Sequence, residues 1–282
     1  MSLTWNAEET PAPKPVTIWG WVRIAYRGPV LVFVIAFGVV LTLLLRVFEK
    51  PLFAPKRPIT PFITQIVCRL FLLICGIRYR TKGEIMKGQG AVVSNHVSWF
   101  DIFSLNAATR IYFVSKAEVS NWPGINILAF VTGTVFINRN SREAKVQKEL
   151  FERRLGAGHK LLFFPEGTST DGLRVLPFKS TLFAAFFTDG LRETMRVQPV
   201  TLVYEAPKGE SPRFYGWWGD MAFGPNLMQM LAQRGHGRIT LVRHAPVKVS
   251  DFPDRKALAK HCENAVRSGL PPEFAALTDD EF

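Results

Sequence analysis

The feature that most constrains this chain is an apolar run without a single charge, PVLVFVIAFGVVLTLLL, from Pro29 to Leu45. As a helix it is about 25 Å long at 1.5 Å per residue. A bilayer core is about 30 Å thick. The run reaches that length if Val47 and Phe48 join it and Arg46 snorkels to the interface. It therefore reads as a membrane-anchoring helix. Arg23 and Arg27 precede it, and Arg46, Lys50, Lys56 and Arg57 follow it. With cations on both sides, positive-inside counting assigns no orientation.

A second apolar segment, Ile59 to Ile77, carries Gln65 and Arg69. Those polar residues point to a helix in the interface or packed on the rest of the protein. The division that follows is a loose polar tail over 1–15, a membrane-anchoring helical region over 16–80, and a catalytic domain over 81–282. A net charge of +12 suits a surface that attracts anions. The interleaving of basic and apolar residues near the N-terminus makes that anion a lipid headgroup. No zinc-finger spacing or RNP-like pattern supports nucleic acid. Cys68, Cys75 and Cys262 have neither metal-ligand spacing nor an even count, which fits a reducing compartment.

Beyond residue 80 short apolar runs alternate with helical patterns. GAVVSN, IYFVSK, TGTVFINR, HKLLFFPEG, RVQPVTLVYE and GRITLVRHAPVKV read as strands. SWFDIFSLNAATR, SREAKVQKELFERRLGAG (with Ser141 as cap) and PFKSTLFAAFFTDG read as helices. The expected fold is α/β, a mixed and largely parallel sheet flanked by helices, with N-terminal membrane-anchoring helices.

SNHVSWFD, Ser94 to Asp101, has two physical readings. Ser98 followed by Asp101 outlines a capping box, in which Asp101 serves only the helix terminus. Alternatively both His96 and Asp101 sit at the carboxyl end of a strand. There His96 acts as general base and Asp101 fixes its tautomer. Three further stretches bear on the choice: GTVFINR ending in Arg139, FFPEGTST with Glu166, Gly167, Thr168 and Ser169 on a turn, and VQPVTLVY with Pro199. Each alone is an ordinary surface cation, turn or strand.

In order and spacing the four together resemble the glycerolipid acyltransferase family, over residues 80 to 250. Its Asn-His, four residues, Asp block is matched by Asn95, His96 and Asp101. Its second block ends at Arg139, its third is Phe164 to Gly167, and its fourth centres on Pro199. The resemblance implies transfer of an acyl chain from a thioester, on acyl carrier protein or coenzyme A, to the free hydroxyl of a one-chain lipid. His96 and Asp101 are then catalytic. Asn95, Lys116, Arg139, Glu166, Gly167, Thr168 and Ser169 are expected to bind substrate. No cofactor is implied, and no metal, since the five histidines are scattered. The expected partners are the lysolipid, the acyl donor and the membrane. The expected place is the cell inner membrane with the catalytic domain on the cytoplasmic side.

The third block departs from the lysophosphatidate branch, where an arginine implicated in phosphate binding follows the Gly-Thr pair; Ser169 stands there. The continuation DGLRVLPFKS resembles the branch that acylates lyso-ornithine lipid, whose headgroup has no phosphate. Arg174 and Lys179 are candidates to replace the lost cation. Three alternatives stand beside this reading: a dedicated 1-acylglycerol-3-phosphate acyltransferase, a lipid or thioester hydrolase using the same base on water with Ser98 as possible nucleophile, and a non-catalytic basic membrane-binding module.

Overall fold

A computed structural model describes residues 5, 10–12, 14–117, 125–137, 144–188 and 190–275. The N-terminal part of the chain forms two helices, α1 (Ile18–Phe53) and α2 (Thr60–Cys75). Thr17 caps α1 by accepting from Gly20 N–H. The apolar run lies at the centre of α1, which extends past it at both ends. α1 is long and apolar enough to cross a membrane, and 17% of its most apolar window is buried against the protein. Glu49, near the end of α1, is buried and serves α2. Its carboxylate accepts from Ile59 N–H, Thr60 N–H and the Thr60 hydroxyl at 2.7, 3.0 and 2.6 Å. An anion thus sits on the positive end of the α2 dipole, and the tight turn between the helices is fixed from inside. The two helices approach closely at Gly38, where an added Cβ would come within 2.5 Å of Val67.

Gln65 and Arg69, the two polar residues that interrupt α2, both donate to the carbonyl of Ala107, at 3.3 and 2.9 Å. Ala107 lies in the last turn of α3 (Asp101–Ala108). These side chains therefore satisfy a helix terminus that would otherwise be left open. Phe71 stacks on Phe103 with ring centroids 3.8 Å apart. The anchor and the helix that carries Asp101 are packed as one body.

The sheet has β1 (Arg78–Lys82), β2 (Gly90–Ser94), β3 (Tyr112–Lys116), β4 (Val135–Ile137), β5 (Lys160–Phe163), β6 (Arg196–Glu205), β7 (Arg238–Arg243) and β8 (Val247–Lys248). Its order is β1-β7-β6-β2-β5-β3-β4, with β8 on β6. β6 runs antiparallel to β7 and β8, and the other pairs are parallel. The mixed, largely parallel sheet is the expected fold. Side chains alternate between its two faces, as period-two geometry requires. Val92, Leu162, Leu202 and Tyr204 pack toward α2 and α3. Ala91, Val93, Leu161 and Val197 pack toward α5 (Ala144–Gly156) and α7 (Arg255–Ser268).

Some elements differ from the sequence expectation. The helix expected over PFKSTLFAAFFTDG is a 3₁₀ helix, Ser180–Phe187. Pro199 is the fourth residue of β6 rather than its start. It falls where the antiparallel partner changes from β8, paired at Val197, to β7, paired from Val200. Such an interruption is where a strand tolerates proline. Helices α4 (Ile125–Thr132), α6 (Phe223–Ala232), α7 and α8 (Pro272–Ala275) and strand β1 were not anticipated. Ser141 lies outside the described residues.

His159, just before β5, is buried beside Tyr112, and neither ring nitrogen has a hydrogen-bond partner among the described residues. Burial first, then the charges of Arg154 and Arg57, push its pKa down to about 3. The unfolded chain therefore binds a proton that the folded one refuses. The stability from keeping the ring neutral is complete above the ordinary value near 6.5 and is lost as pH falls toward 3. His159→Phe keeps the ring contact and sacrifices no hydrogen bond. The thermal midpoint of the wild type should fall between pH 7 and pH 4, and in His159→Phe that fall should be visibly shallower. Equal slopes would remove His159 from the acid sensitivity.

Candidate active site

The chain leaves β2 at Ser94 and enters α3 at Asp101. Between them Asn95 continues the ladder with its side chain. Its amide oxygen accepts from Leu202 N–H at 2.8 Å and its amide NH₂ donates to Leu202 carbonyl at 3.0 Å. That pins the residue before His96 to the centre of the sheet. Asp101 is fully buried and its carboxylate accepts four hydrogen bonds. Oδ2 takes His96 Nδ1 at 2.7 Å, Val97 N–H at 2.7 Å and Ser98 N–H at 3.1 Å; Oδ1 takes the Tyr204 hydroxyl at 2.6 Å.

The helix-capping and catalytic readings of SNHVSWFD therefore describe one arrangement. Asp101 reaches back to the N–H groups of the loop as a capping residue does. The same oxygen holds His96 in the tautomer that carries its proton on Nδ1. Ser98 accepts from Phe100 N–H at 3.0 Å and is 1% exposed. A serine so placed is not a nucleophile, so a hydrolase at this site would have to use His96 directly on water. The His96 side chain is 24% exposed, and Nε2 makes no hydrogen bond among the described residues. Phe164 stacks on the imidazole, centroids 4.0 Å apart. The ring is thus clamped on one face and at one nitrogen, with the other nitrogen left for a substrate.

Glu166 holds the loop from the opposite side. It is 1% exposed, and its two oxygens accept from His96 N–H at 2.7 Å and Leu176 N–H at 3.1 Å. Burial pushes its carboxyl well above the usual carboxylate range, against those two donors, and the nearby Asp101 charge adds to the rise. Thr170 closes the loop by donating both its N–H and its hydroxyl to the His96 carbonyl. Asn95 and Glu166, expected at the acceptor, thus stand behind His96 and fix its backbone.

Gly167, at φ +76°, forms the turn, and an added Cβ would come within 2.8 Å of Lys179 Nζ. The Thr168 hydroxyl accepts from Trp5 N–H and donates to the Ser169 carbonyl. Ser169 donates to Trp217 carbonyl at 2.5 Å. Of the two candidate cations, Lys179 lies over the turn, whereas Arg174 is buried in an ion pair with Asp171 at 3.2 Å. Lys116 closes β3 in register with Ile137. Arg139, two positions further along, lies outside the described residues. Tyr204 was missed in the sequence. Its only signal is that it shares a face of β6 with Leu202, whose backbone Asn95 holds.

A positioned imidazole with a buried carboxylate behind it stands at the carboxyl end of a parallel strand, where open α/β sheets hold their sites. The comparisons agree: residues 76–203 match the Acyltransferase family, and the chain belongs to that family. It is 54% identical over 266 residues to the lyso-ornithine lipid O-acyltransferase of Rhodobacter capsulatus, covering 94% of this chain and 96% of that one. It is 39% identical to the enzyme so named in Brucella abortus, covering 76% and 82%. It is 40% identical to a 1-acyl-sn-glycerol-3-phosphate acyltransferase of Neisseria meningitidis, covering 63% and 68%. The crystal structure of the 1-acyl-sn-glycerophosphate acyltransferase of Thermotoga maritima shares the fold, with a TM-score of 0.59 at 21% identity, over 89% of this chain and 95% of that one. The protein is an acyltransferase.

Tyr204→Phe removes the one donor to Asp101 Oδ1 among the described residues and leaves a buried carboxylate oxygen unpaired, at a cost of about 1–3 kcal/mol. The variant should unfold at lower temperature and show a reduced kcat, both measured on purified protein. Asp101→Asn can still cap the loop, yet it presents the wrong partner to Nδ1. Its kcat should fall by a factor on the order of 10³–10⁴, as loss of an imidazole-orienting carboxylate does elsewhere. Normal activity in Asp101→Asn would leave Asp101 as a helix cap alone.

Proposed function

We propose that this acyltransferase moves an acyl chain from a thioester, carried by acyl carrier protein or coenzyme A, to the free hydroxyl of lyso-ornithine lipid. The observation that carries the chemistry is the His96–Asp101 pair at 2.7 Å with Nε2 unengaged. A lipid hydroxyl is a poor nucleophile. Nε2 takes its proton as the oxygen attacks the thioester carbon, and Asp101 stabilises the imidazolium that forms. Collapse of the tetrahedral intermediate breaks the carbon–sulfur bond. The departing thiolate recovers the proton from Nε2, so His96 ends as it began. Neither a metal nor a cofactor is required by this sequence of steps.

The acceptor rests on two supports. The relatives matched over most of their length carry the lyso-ornithine name. In addition, Ser169 offers a hydroxyl already donated to Trp217, and no charge. A phosphate dianion is best held by two or more cations, with bidentate arginine the usual choice. A zwitterionic amino-acid headgroup needs one cation and one ammonium-tolerant surface. Lys179 beside Gly167 supplies the cation, and Gly167, Thr168 and Ser169 line the acceptor side. The Neisseria relatives favour 1-acylglycerol-3-phosphate as a second acceptor. We place the enzyme in the inner membrane with the catalytic domain on the cytoplasmic side, where both acyl donors are found.

The deciding measurement is kcat/KM of the purified full-length enzyme on lyso-ornithine lipid and on lysophosphatidate, with one acyl donor. The amino lipid should be the better acceptor, and His96→Ala should abolish transfer to either while leaving the protein folded. Efficient use of lysophosphatidate with none of the amino lipid would overturn the acceptor assignment. Loss of acyl chain to water in place of transfer would overturn the reaction. High salt alone should not extract the protein from membranes, since the exposed apolar surface of α1 holds it in place of charge.

A further inference from the structure

We propose that Trp5 is a specificity-determining residue for the acceptor headgroup. Its indole turns the outer side of the Thr168 turn into a π-surface that welcomes an ammonium group and keeps a phosphate dianion away from Arg174. The proposal rests on the reading above that the headgroup docks at the turn formed by Gly167, Thr168 and Ser169.

Trp5 stands in a polar, proline-rich stretch, and nothing in its sequence surroundings marks it. The structure places it against the catalytic turn through three separate contacts. Its backbone N–H donates to the Thr168 hydroxyl at 3.3 Å. Its ring packs on Trp218, centroids 5.8 Å apart and tilted by 58°. The Arg174 guanidinium lies 5.1 Å from the centre of the same ring. The segment that leads to it is tied down further along, where Lys14 pairs with Glu210 at 2.6 Å and Thr17 caps α1.

The chemistry of that corner depends on what covers Arg174. Asp171, fully buried, accepts from Arg174 at 3.2 Å and lies 3.4 Å from the Arg213 guanidinium. A phosphate monoester arriving at the turn would be drawn to these two guanidiniums. The Trp5 ring lies over Arg174, and the guanidinium keeps 2% of its surface exposed. An aromatic face carries negative quadrupole density. It repels a dianion and attracts an ammonium. Trp5 is itself half-buried, with Arg174 and Trp218 against its ring. Lys179, on the Gly167 side of the same turn, faces a headgroup with a cation. An amino-acid headgroup that carries one carboxylate and one ammonium can use both surfaces at once, the carboxylate at Lys179 and the ammonium on Trp5. A phosphate monoester can use only one of them.

The test compares full-length wild type, Trp5→Ala and Trp5→Phe, purified in detergent micelles, on lyso-ornithine lipid and lysophosphatidate with a common acyl donor. In Trp5→Ala the KM for the amino lipid should rise roughly tenfold, the size of one lost cation–π contact in a desolvated site, with kcat little changed. Its kcat/KM for lysophosphatidate should rise, because Arg174 is uncovered. Trp5→Phe retains a π-face and should keep most of the wild-type preference. An unchanged preference in Trp5→Ala, or an equal loss on both acceptors, would overturn the proposal and leave Trp5 as a packing residue. Wild-type enzyme that ignores the amino lipid would defeat the acceptor reading on its own. Trp5 would then stand only if Trp5→Ala gained on lysophosphatidate, and no gain would overturn it too.

Discussion

The catalytic half of the structure turns on one buried carboxylate. Asp101 has no solvent to hydrate it, so every lone pair must be met by the protein. The four donors that meet them come from the loop after β2, from His96 itself, and from Tyr204 on β6. Satisfying Asp101 therefore fixes the direction in which α3 leaves the sheet, the plane of the imidazole, and the register of β2 against β6. Asn95 bonding to Leu202 enforces the same register one residue earlier. Glu166 repeats the device from the β5 side. A group that is expensive to bury is made affordable by using it to organise the site.

This explains what was legible in the sequence and what was not. The strands around the site announced themselves because their side chains alternate between two buried faces, as Ala91, Val92 and Val93 do. His96 and Asp101 were legible because a local spacing brings them together, within one loop and the first turn of one helix. Tyr204 was not, since it meets Asp101 across 103 positions of chain. The roles of Asn95 and Glu166 were hidden for the same reason. A polar residue in a strongly patterned block looks like a ligand contact, and only the fold shows that its amide or carboxylate is spent on backbone N–H groups. The stretch at Ser180–Phe187 was legible as a helix but not as a 3₁₀ one, because its apolar residues fall at a spacing that both helix types permit over so short a run.

The polar residues of the anchor follow the same logic. Gln65 and Arg69 pointed to a helix in the interface or packed on the rest of the protein, and the second holds; Arg23 and Arg27 counted only as basic flanks of the apolar run. Each has a specific acceptor in the catalytic domain. Arg23 donates to Ala232 carbonyl at 2.6 Å, and Arg27 donates to Leu231 and Gln233 carbonyls at 2.9 and 2.7 Å, all at the C-terminal end of α6. Cations at that end complement the helix dipole as well as its open carbonyls. Counting cations on either side of the apolar run could assign no orientation, in part because these two are spent on the protein.

The same contacts constrain how the anchor sits. A 36-residue helix is roughly 54 Å long, well beyond the thickness of a bilayer core. Its first turns rest on α6 through Arg23 and Arg27. Just past its far end Arg57 donates to Val131 carbonyl at 2.7 Å, in α4. Both ends of α1 are therefore held by one catalytic domain, and the helix runs along that domain. The outward faces of α1, α2 and α4 are apolar together: Phe33, Phe37 and Leu44 on the first, Phe62, Ile66 and Leu73 on the second, Ile127 and Phe130 on the third. Exposed apolar residues on three helices, one of them long and apolar enough to cross a membrane, suit membrane association. Because α2 is bolted to α3 through Ala107, and α3 begins at Asp101, whatever fixes the position of α1 and α2 also fixes the position of His96.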